Sequence, residues 1–139
     1  MVLSGSSDKF LKLWKVDLEK ASRMTFGKGT KGDSDEVYSQ CSLLHMNEPV
    51  EAFSFMTYLD KQLVLVANGN IITVIEITKD NTLEELCSIH AFQKPILKLA
   101  YDSQRNRIIA CGLDQQIKFF ELFDEATGEH AEMNLQLRL

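Results

Sequence analysis

Two stretches of this chain repeat the same order of elements. From 50 to 77 the sequence offers an alternating strand (Val50 to Met56, VEAFSFM), a turn, a short apolar strand (Gln62 to Ala67, QLVLVA), a tight turn at Asn68-Gly69-Asn70, and a β-branched strand (Ile71 to Ile77, IITVIEI). From 95 to 122 the order returns, with Ile96 to Tyr101 (ILKLAY), a turn over Asp102 to Asn106, Arg107 to Cys111 (RIIAC), a second turn at Gly112 to Gln115, and Gln116 to Leu122 (QIKFFEL). Side chains alternate across a strand with a period of two, so these patterns specify sheet and not helix. Asn-Gly marks the middle hairpin, because a type I′ turn asks for φ > 0 at both central residues. A repeat of this kind buries its apolar faces by stacking one copy on the next.

The opening residues supply the tail of another copy, since VLSGSSDKFLKLWKV holds a short apolar strand, a turn carrying Asp8, and a strand ending in Trp14. With Trp14, Ile75 and Phe120 as equivalent positions, the step from 14 to 75 is 61 residues and that from 75 to 120 is 45. The second is close to the ~40–45 residue period of a four-stranded propeller blade. The first is longer because Gly27 to Val37 (GKGTKGDSDEV) inserts a polar, glycine-rich stretch. The expected units are therefore 1–46, the closing part of a blade with its insertion at 27–37; 47–91, a degenerate blade; and 92–139, a blade and C-terminal strand. Thr82 to Leu86 (TLEEL) is the one helix-like stretch, and it falls where the fourth strand of a blade should begin. A strand that should precede Val2 is missing, so the expectation is a piece of a longer propeller or a product whose open edges need partners.

Composition narrows the function classes. Of 139 residues 45% are hydrophobic and 25% charged, which excludes a disordered chain. Fifteen Lys and Arg against twenty Asp and Glu give a net charge of −5, so the chain as a whole is not a basic nucleic-acid clamp. No apolar run approaches the ~20 residues of a membrane span, and MVLSGSSDKF lacks the pattern of a signal peptide. Cys41, Cys87 and Cys111 are odd in number and form no Cys-x-x-Cys pair. That usage points to free thiols in a reducing compartment, nucleus or cytosol.

Particular residues carry a resemblance. Ser4-Gly5-Ser6-Ser7-Asp8 followed by Leu11-Lys12-Leu13-Trp14-Lys15-Val16 resembles the closing half of a WD-repeat blade, with Lys15 where the eponymous Asp would stand. His90, Pro95-Ile96, and Asp114 six residues before Phe120 resemble the next element of the same repeat. The resemblance covers about residues 1–123 and implies an all-β fold, a partial WD-repeat β-propeller of four-stranded antiparallel blades, about two and a half of them present. It also implies structural roles for Asp8, Trp14, His90 and Asp114, with Asp114 accepting a hydrogen bond from His90. The middle copy departs from the pattern, because Gly69 stands six residues before Ile75 and leaves His45 without an Asp partner.

Other candidate chemistry yields to simpler readings. Gly27-Lys-Gly29-Thr-Lys-Gly32 satisfies G-x-G-x-x-G, but Asp33-Ser-Asp35-Glu36 follows where a phosphate-binding helix N-terminus would be needed. His45, His90 and His130 have no second ligand at metal spacing, and no Ser or Cys stands in a nucleophile elbow. The cysteines fall in or beside apolar strands, Asp8 and Asp114 lie in turns of different units, and Trp14, Phe119 and Phe120 read as core between blades. No catalytic, cofactor-binding or metal site is expected. Lys12 and Lys15 differ, since strand ends and the loops after them are where a rigid scaffold displays contact residues.

The layout is more particular than the class. A blade ending SGSSDKFLKLWKV, a long polar insertion, VEAFSFMTYLDKQLVLVANGNIITVIEI without an Asp in its turn, and then ITKDNTLEELCSIHAFQKPILKL resembles the C-terminal half of the noncatalytic WD-repeat subunit of tRNA (guanine-N7)-methyltransferase. That resemblance implies a scaffold that does no chemistry, uses no cofactor or small-molecule substrate, touches no membrane, binds the methyltransferase catalytic subunit through Lys15 with Lys12 nearby, and meets tRNA only through the complex. A second resemblance is to WD-repeat components of ribosome-biogenesis particles, the U3 small nucleolar RNA-associated propellers, carried by His45-Met-Asn-Glu-Pro49-Val50-Glu51 as a blade junction. Members of that group have short blade connections, against which the 27–37 insertion counts. A third reading, from another class, is an enzyme using His90 with Asp114.

Overall fold

A computed structural model describes residues 1–23, 37–124 and 135–139. These residues form eleven strands and one short helix: β1 (Val2–Gly5), β2 (Phe10–Val16), α1 (Leu18–Arg23), β3 (Tyr38–His45), β4 (Val50–Tyr58), β5 (Lys61–Asn68), β6 (Ile71–Ile77), β7 (Leu83–His90), β8 (Ile96–Asp102), β9 (Arg107–Gly112), β10 (Ile117–Asp124) and β11 (Leu135–Arg138). The strands make three antiparallel sheets, a first sheet β1-β2-β3, a middle sheet β4-β5-β6-β7 and a third sheet β8-β9-β10-β11, each in simple meander order. The Thr82 to Leu86 stretch enters β7 and pairs with β6, so strand wins over its weak helical pattern. Except for Val37, the 27–37 insertion, with its G-x-G-x-x-G, lies outside the described residues, as does His130.

The middle sheet is covered on both faces, and this explains the unbroken apolar run of β5. Leu63, Leu65 and Ala67 point into a core shared with Ile108, Ala110 and Phe120 of the third sheet. Val64 and Val66 point the other way, into a core shared with Leu3, Leu11 and Leu13 of the first. A strand buried on both sides loses its polar alternation, as this one does.

The repeat positions coincide in the ladders. Gly5 pairs with Leu11 and Cys111 with Ile117, each pair the last before the central turn of its sheet, and Ala67 pairs with Ile72, followed in the middle sheet by one more pair, Asn68 with Ile71. Three residues after Leu11, Ile72 and Ile117 stand Trp14, Ile75 and Phe120. The turns of the outer two sheets match, with Lys9 (φ 67°) and Gln115 (φ 64°) both left-handed and donating to Ser6 O and Gly112 O. The middle turn is one residue shorter, which is why it has no place for the Asp. There Gly69 has φ 63° while Asn70 stays at negative φ, so the hairpin is type II′ and not the expected I′.

Candidate partner-binding surface

Asp8 and Asp114 occupy the same place in their turns and do the same work. Asp8 Oδ1 accepts the Phe10 N–H at 3.0 Å, and Asp114 Oδ1 accepts the Gln116 N–H at 3.2 Å. Each fixes the entry into the next strand. The Phe10 backbone bond holds the Asp8 carboxyl below its ordinary value, with burial opposing it and Lys12 and Ser6 adding to it.

The His90 pairing implied by the resemblance is not made. His90 is exposed at the end of β7, and among the described residues no hydrogen bond joins it to Asp114. A lysine ties that corner instead. Lys118 Nζ donates to Ala91 O at 2.7 Å and lies over the Phe92 ring at 4.8 Å, pinning β10 to the connection between β7 and β8. The enzyme reading of a His90–Asp114 pair loses its geometry with this. His45 packs on Phe10, ring centroids 5.1 Å apart.

The aromatic expectations divide. Phe120 is buried in the core, but Phe119 faces solvent, because successive residues of a strand point to opposite faces and Phe120 takes the inner one. Trp14 is half-buried on the outer face of the first sheet, where its indole N–H donates to Ser4 Oγ at 2.8 Å and its ring meets Tyr38 edge-on at 5.9 Å. It belongs to neither core.

Lys12 and Lys15 do not form one patch. Lys12 shares the outer face with Trp14 and is held by Asp8, Nζ to Oδ2 3.6 Å, and by the Phe10 ring at 5.7 Å. Lys15 falls on the opposite side of β2 by alternation, beyond the last core leucine, and stands exposed opposite Ser39. Between Leu13 and Trp14 the pairing shifts by one residue, with Cys41 extra on β3. A bulge of this kind re-aims the side chains that follow it. Among the described residues Lys15 has no ion pair, and α1 begins three residues on, its Leu18–Arg23 turn capped by Asp17 Oδ1, which accepts the Glu19 and Lys20 N–H groups at 3.1 Å. Sequence reasoning missed this helix, although an Asp before LEKAS is an N-cap signal.

Little else on the surface has the makings of a chemical site. A cleft of about 710 Å³ lies between the first and middle sheets and reaches the third, lined among others by Leu3, Leu13, Phe55, Met56 and Tyr101, with no cluster of charged groups. Among the described residues no group of three or more His, Cys, Asp or Glu is placed to hold a metal ion. Cys87 is half-buried, and burial, helped by the Glu85 carboxylate, pushes its thiol up to about 11, so it is no thiolate nucleophile at neutral pH.

No family model and no curated protein matches the chain. Solved structures do. A chain of the mitotic checkpoint complex aligns with a TM-score of 0.59 at 14% identity, over 87% of this chain and 31% of its own length. The C-terminal WD40 domain of Sif2 aligns with a TM-score of 0.51 at 18% identity, over 84% of this chain and 29% of its own length. This chain thus spans about a third of the length of the solved chains it matches. The sheet order, the stacked cores and these two likenesses establish the fold as all-β, a partial WD40 β-propeller whose complete blades have four strands.

Proposed function

We propose that the chain is a noncatalytic scaffold that holds other proteins within an RNA-processing assembly, and that its partner is the catalytic subunit of a tRNA (guanine-N7)-methyltransferase. The observation that carries this reading is Lys15, exposed and, among the described residues, without an ion pair at the end of β2, at the position directly after the blade's aromatic residue where the resemblance puts a bridge to that subunit. A rigid strand end presents such a charge at low entropic cost, and a scaffold aids catalysis by fixing the geometry of its partner. The net charge of −5 agrees with a subunit that leaves the phosphate contacts to its partner.

A specific observation favours the second reading, a component of a ribosome-biogenesis particle. The long stretch after Val16 runs from β2 to β3 inside one sheet, whereas the connections from sheet to sheet, 46–49 and 91–95, are short. The insertion therefore does not count against a group marked by short blade connections.

Affinity capture of the tagged chain from its own cells, with the bound proteins and RNA identified, separates the two. A methyltransferase-fold protein that is lost on Lys15→Glu supports the first reading. Pre-ribosomal RNA with its proteins, unaffected by Lys15→Glu, overturns it in favour of the second. Turnover of a small substrate by the isolated chain overturns both.

A further inference from the structure

The turn from β6 to β7, Thr78 to Thr82, belongs to the middle sheet, which is packed on both faces, and it leads into the last strand of that sheet. Two hydroxyls tie it together. The Thr78 and Thr82 Oγ1 atoms lie 2.6 Å apart, the Thr82 N–H donates to Thr78 Oγ1 at 3.1 Å, and the Thr78 N–H donates to Thr82 O at 2.9 Å. Residues 79–82 are exposed, and water reaches both side-chain bonds. Hydrogen bonds open to water, at the start of an outer strand, are where a protein opens locally at least cost.

The residues around Thr82 carry a second pattern. Asp80 stands two places before it, and Glu84 and Glu85 stand two and three places after it, all three exposed. No other Ser or Thr of the chain has acids at both of those later places. Carboxylates at fixed distances from a hydroxyl are what a basic substrate groove reads, because each can accept a charge-assisted hydrogen bond from Lys or Arg. Thr57, with Asp60 three residues on, offers a single acid and lies inside β4, paired with Gln62.

We propose that Thr82 is a phosphorylation site for a protein kinase with a basic substrate groove, and that the phosphate loosens the tie between the outer strands of the first and middle sheets. The kinase brings a nucleoside triphosphate. Thr82 Oγ1 attacks its γ-phosphorus, the new O–P bond forms as the bond to the β-phosphate oxygen breaks, the nucleoside diphosphate leaves, and the hydroxyl proton passes to the kinase's catalytic base. The product oxygen has no hydrogen to share with Thr78. Roughly two negative charges arrive beside Glu84, which already stands opposite Glu76 across the β6–β7 ladder. At the next residue the Leu83 N–H donates to Ser42 Oγ of β3 at 3.1 Å, a hydrogen bond between the outer strands of the two sheets. Repulsion at the start of β7 works against that bond. The inference does not depend on which protein the scaffold holds.

The purified chain incubated with ATP and an acid-directed protein kinase, and read by mass spectrometry of its proteolytic fragments, decides the first part. One phosphate on Thr82 of the folded chain is expected. Thr82→Val should remove it, and Glu84→Gln with Glu85→Gln should slow its incorporation about tenfold or more, as loss of charge-assisted contacts does. All three side chains are exposed, so the circular dichroism spectrum of these variants should keep its β signature. A folded chain that stays unmodified while a peptide of residues 76–88 takes phosphate shows that the turn does not open, and overturns the proposal. Phosphate confined to other hydroxyls, or refused by chain and peptide alike, overturns it too. Hydrogen exchange decides the second part. The Leu83 amide should exchange about tenfold faster or more in the phosphorylated chain, and return to its first rate after phosphatase treatment. Equal or slower exchange would mean that the turn absorbs the phosphate, and overturns the loosening.

Discussion

The Thr73 hydroxyl donates to the Asn68 side-chain oxygen at 3.0 Å, across the hairpin turn between β5 and β6 and fully inside the protein. Both residues are 2% exposed, and they are the buried polar side chains among the described residues. Replacing Thr73 by Val keeps the shape and leaves the Asn68 oxygen without a donor. A buried group stranded in this way costs about 1–3 kcal/mol. Urea unfolding of Thr73→Val should show that loss, and Asn68→Leu combined with Thr73→Val should cost less than the two single changes added together. Additive losses would mean that the pair is not coupled.

The same turn shows where the sequence is legible and where it is not. Strands β4 to β6 and β8 to β10 are readable because β-branched runs and period-two alternation follow from backbone geometry, which every strand shares. The turn type is not, since Gly69 alone takes positive φ and the choice depends on how Asn68 is buried. Phe119 and Phe120 are adjacent and chemically identical, so which of them reaches the core is set by register, which composition does not encode. The resemblance implies a His90–Asp114 bond, yet Lys118 takes that corner through a backbone carbonyl that no motif records. Lys12 and Lys15 are near neighbours in the sequence, and alternation puts them on opposite sides of β2.

A strained turn offers a gain in stability. Leu59 and Asp60 join β4 to β5 with φ of 46° and 63°, the two left-handed residues of a type I′ turn, and Leu59 is largely exposed. An L-residue other than Gly or Asn sits there at a cost of roughly 1–2 kcal/mol. Leu59→Asn with Asp60→Gly supplies the residues this turn prefers. The double variant should raise the unfolding midpoint without changing the slope of the urea transition, by about 1 kcal/mol. An unchanged or lower midpoint would show that Leu59 makes a contact that outweighs the backbone strain.

Acid should loosen the turn between β8 and β9. Asp102 Oδ2 accepts from Arg105 Nη1 at 3.2 Å, while its Oδ1 accepts the Gln104 and Arg105 N–H groups at 3.0 and 3.3 Å. The Arg105 side-chain bond, then the backbone bonds, hold this carboxyl below its ordinary value of 3.8, against a smaller opposing effect of burial. A carboxyl depressed in the folded state stabilises fully above its unfolded value, and that contribution is lost as pH falls from about 3.8 through the lower folded value. The expected outcome is a smaller loss of stability between pH 5 and the acid limit for Asp102→Asn than for the wild type, read from thermal unfolding at a series of pH values in that range. Parallel curves for the two proteins would remove Asp102 from the account of acid sensitivity.

The first and middle sheets pack tightly against each other at a glycine. A Cβ on Gly5 would collide with Val50 Cγ1 and come within 3.1 Å of Val50 Cβ and 3.5 Å of Leu11 Cδ1. The backbones are locked together there, since the Val50 N–H donates to Ser6 O at 3.2 Å, so neither strand can retreat without breaking that bond. Gly5→Ala should therefore destabilise by about 1–3 kcal/mol, the usual cost of forcing a methyl group into a packed interior. Val50→Ala alone should also destabilise, by loss of a partly buried side chain that packs on the core. The combination decides the cause, because the methyl group added by Gly5→Ala would then occupy space that the shortened residue 50 has vacated. Measured by urea unfolding at one fixed protein concentration, the double variant should be more stable than the sum of the single effects by at least ~0.5 kcal/mol, the coupling of residues in contact. Strict additivity would place the cost of Gly5→Ala in the backbone of β1 and not in the packing of the two sheets.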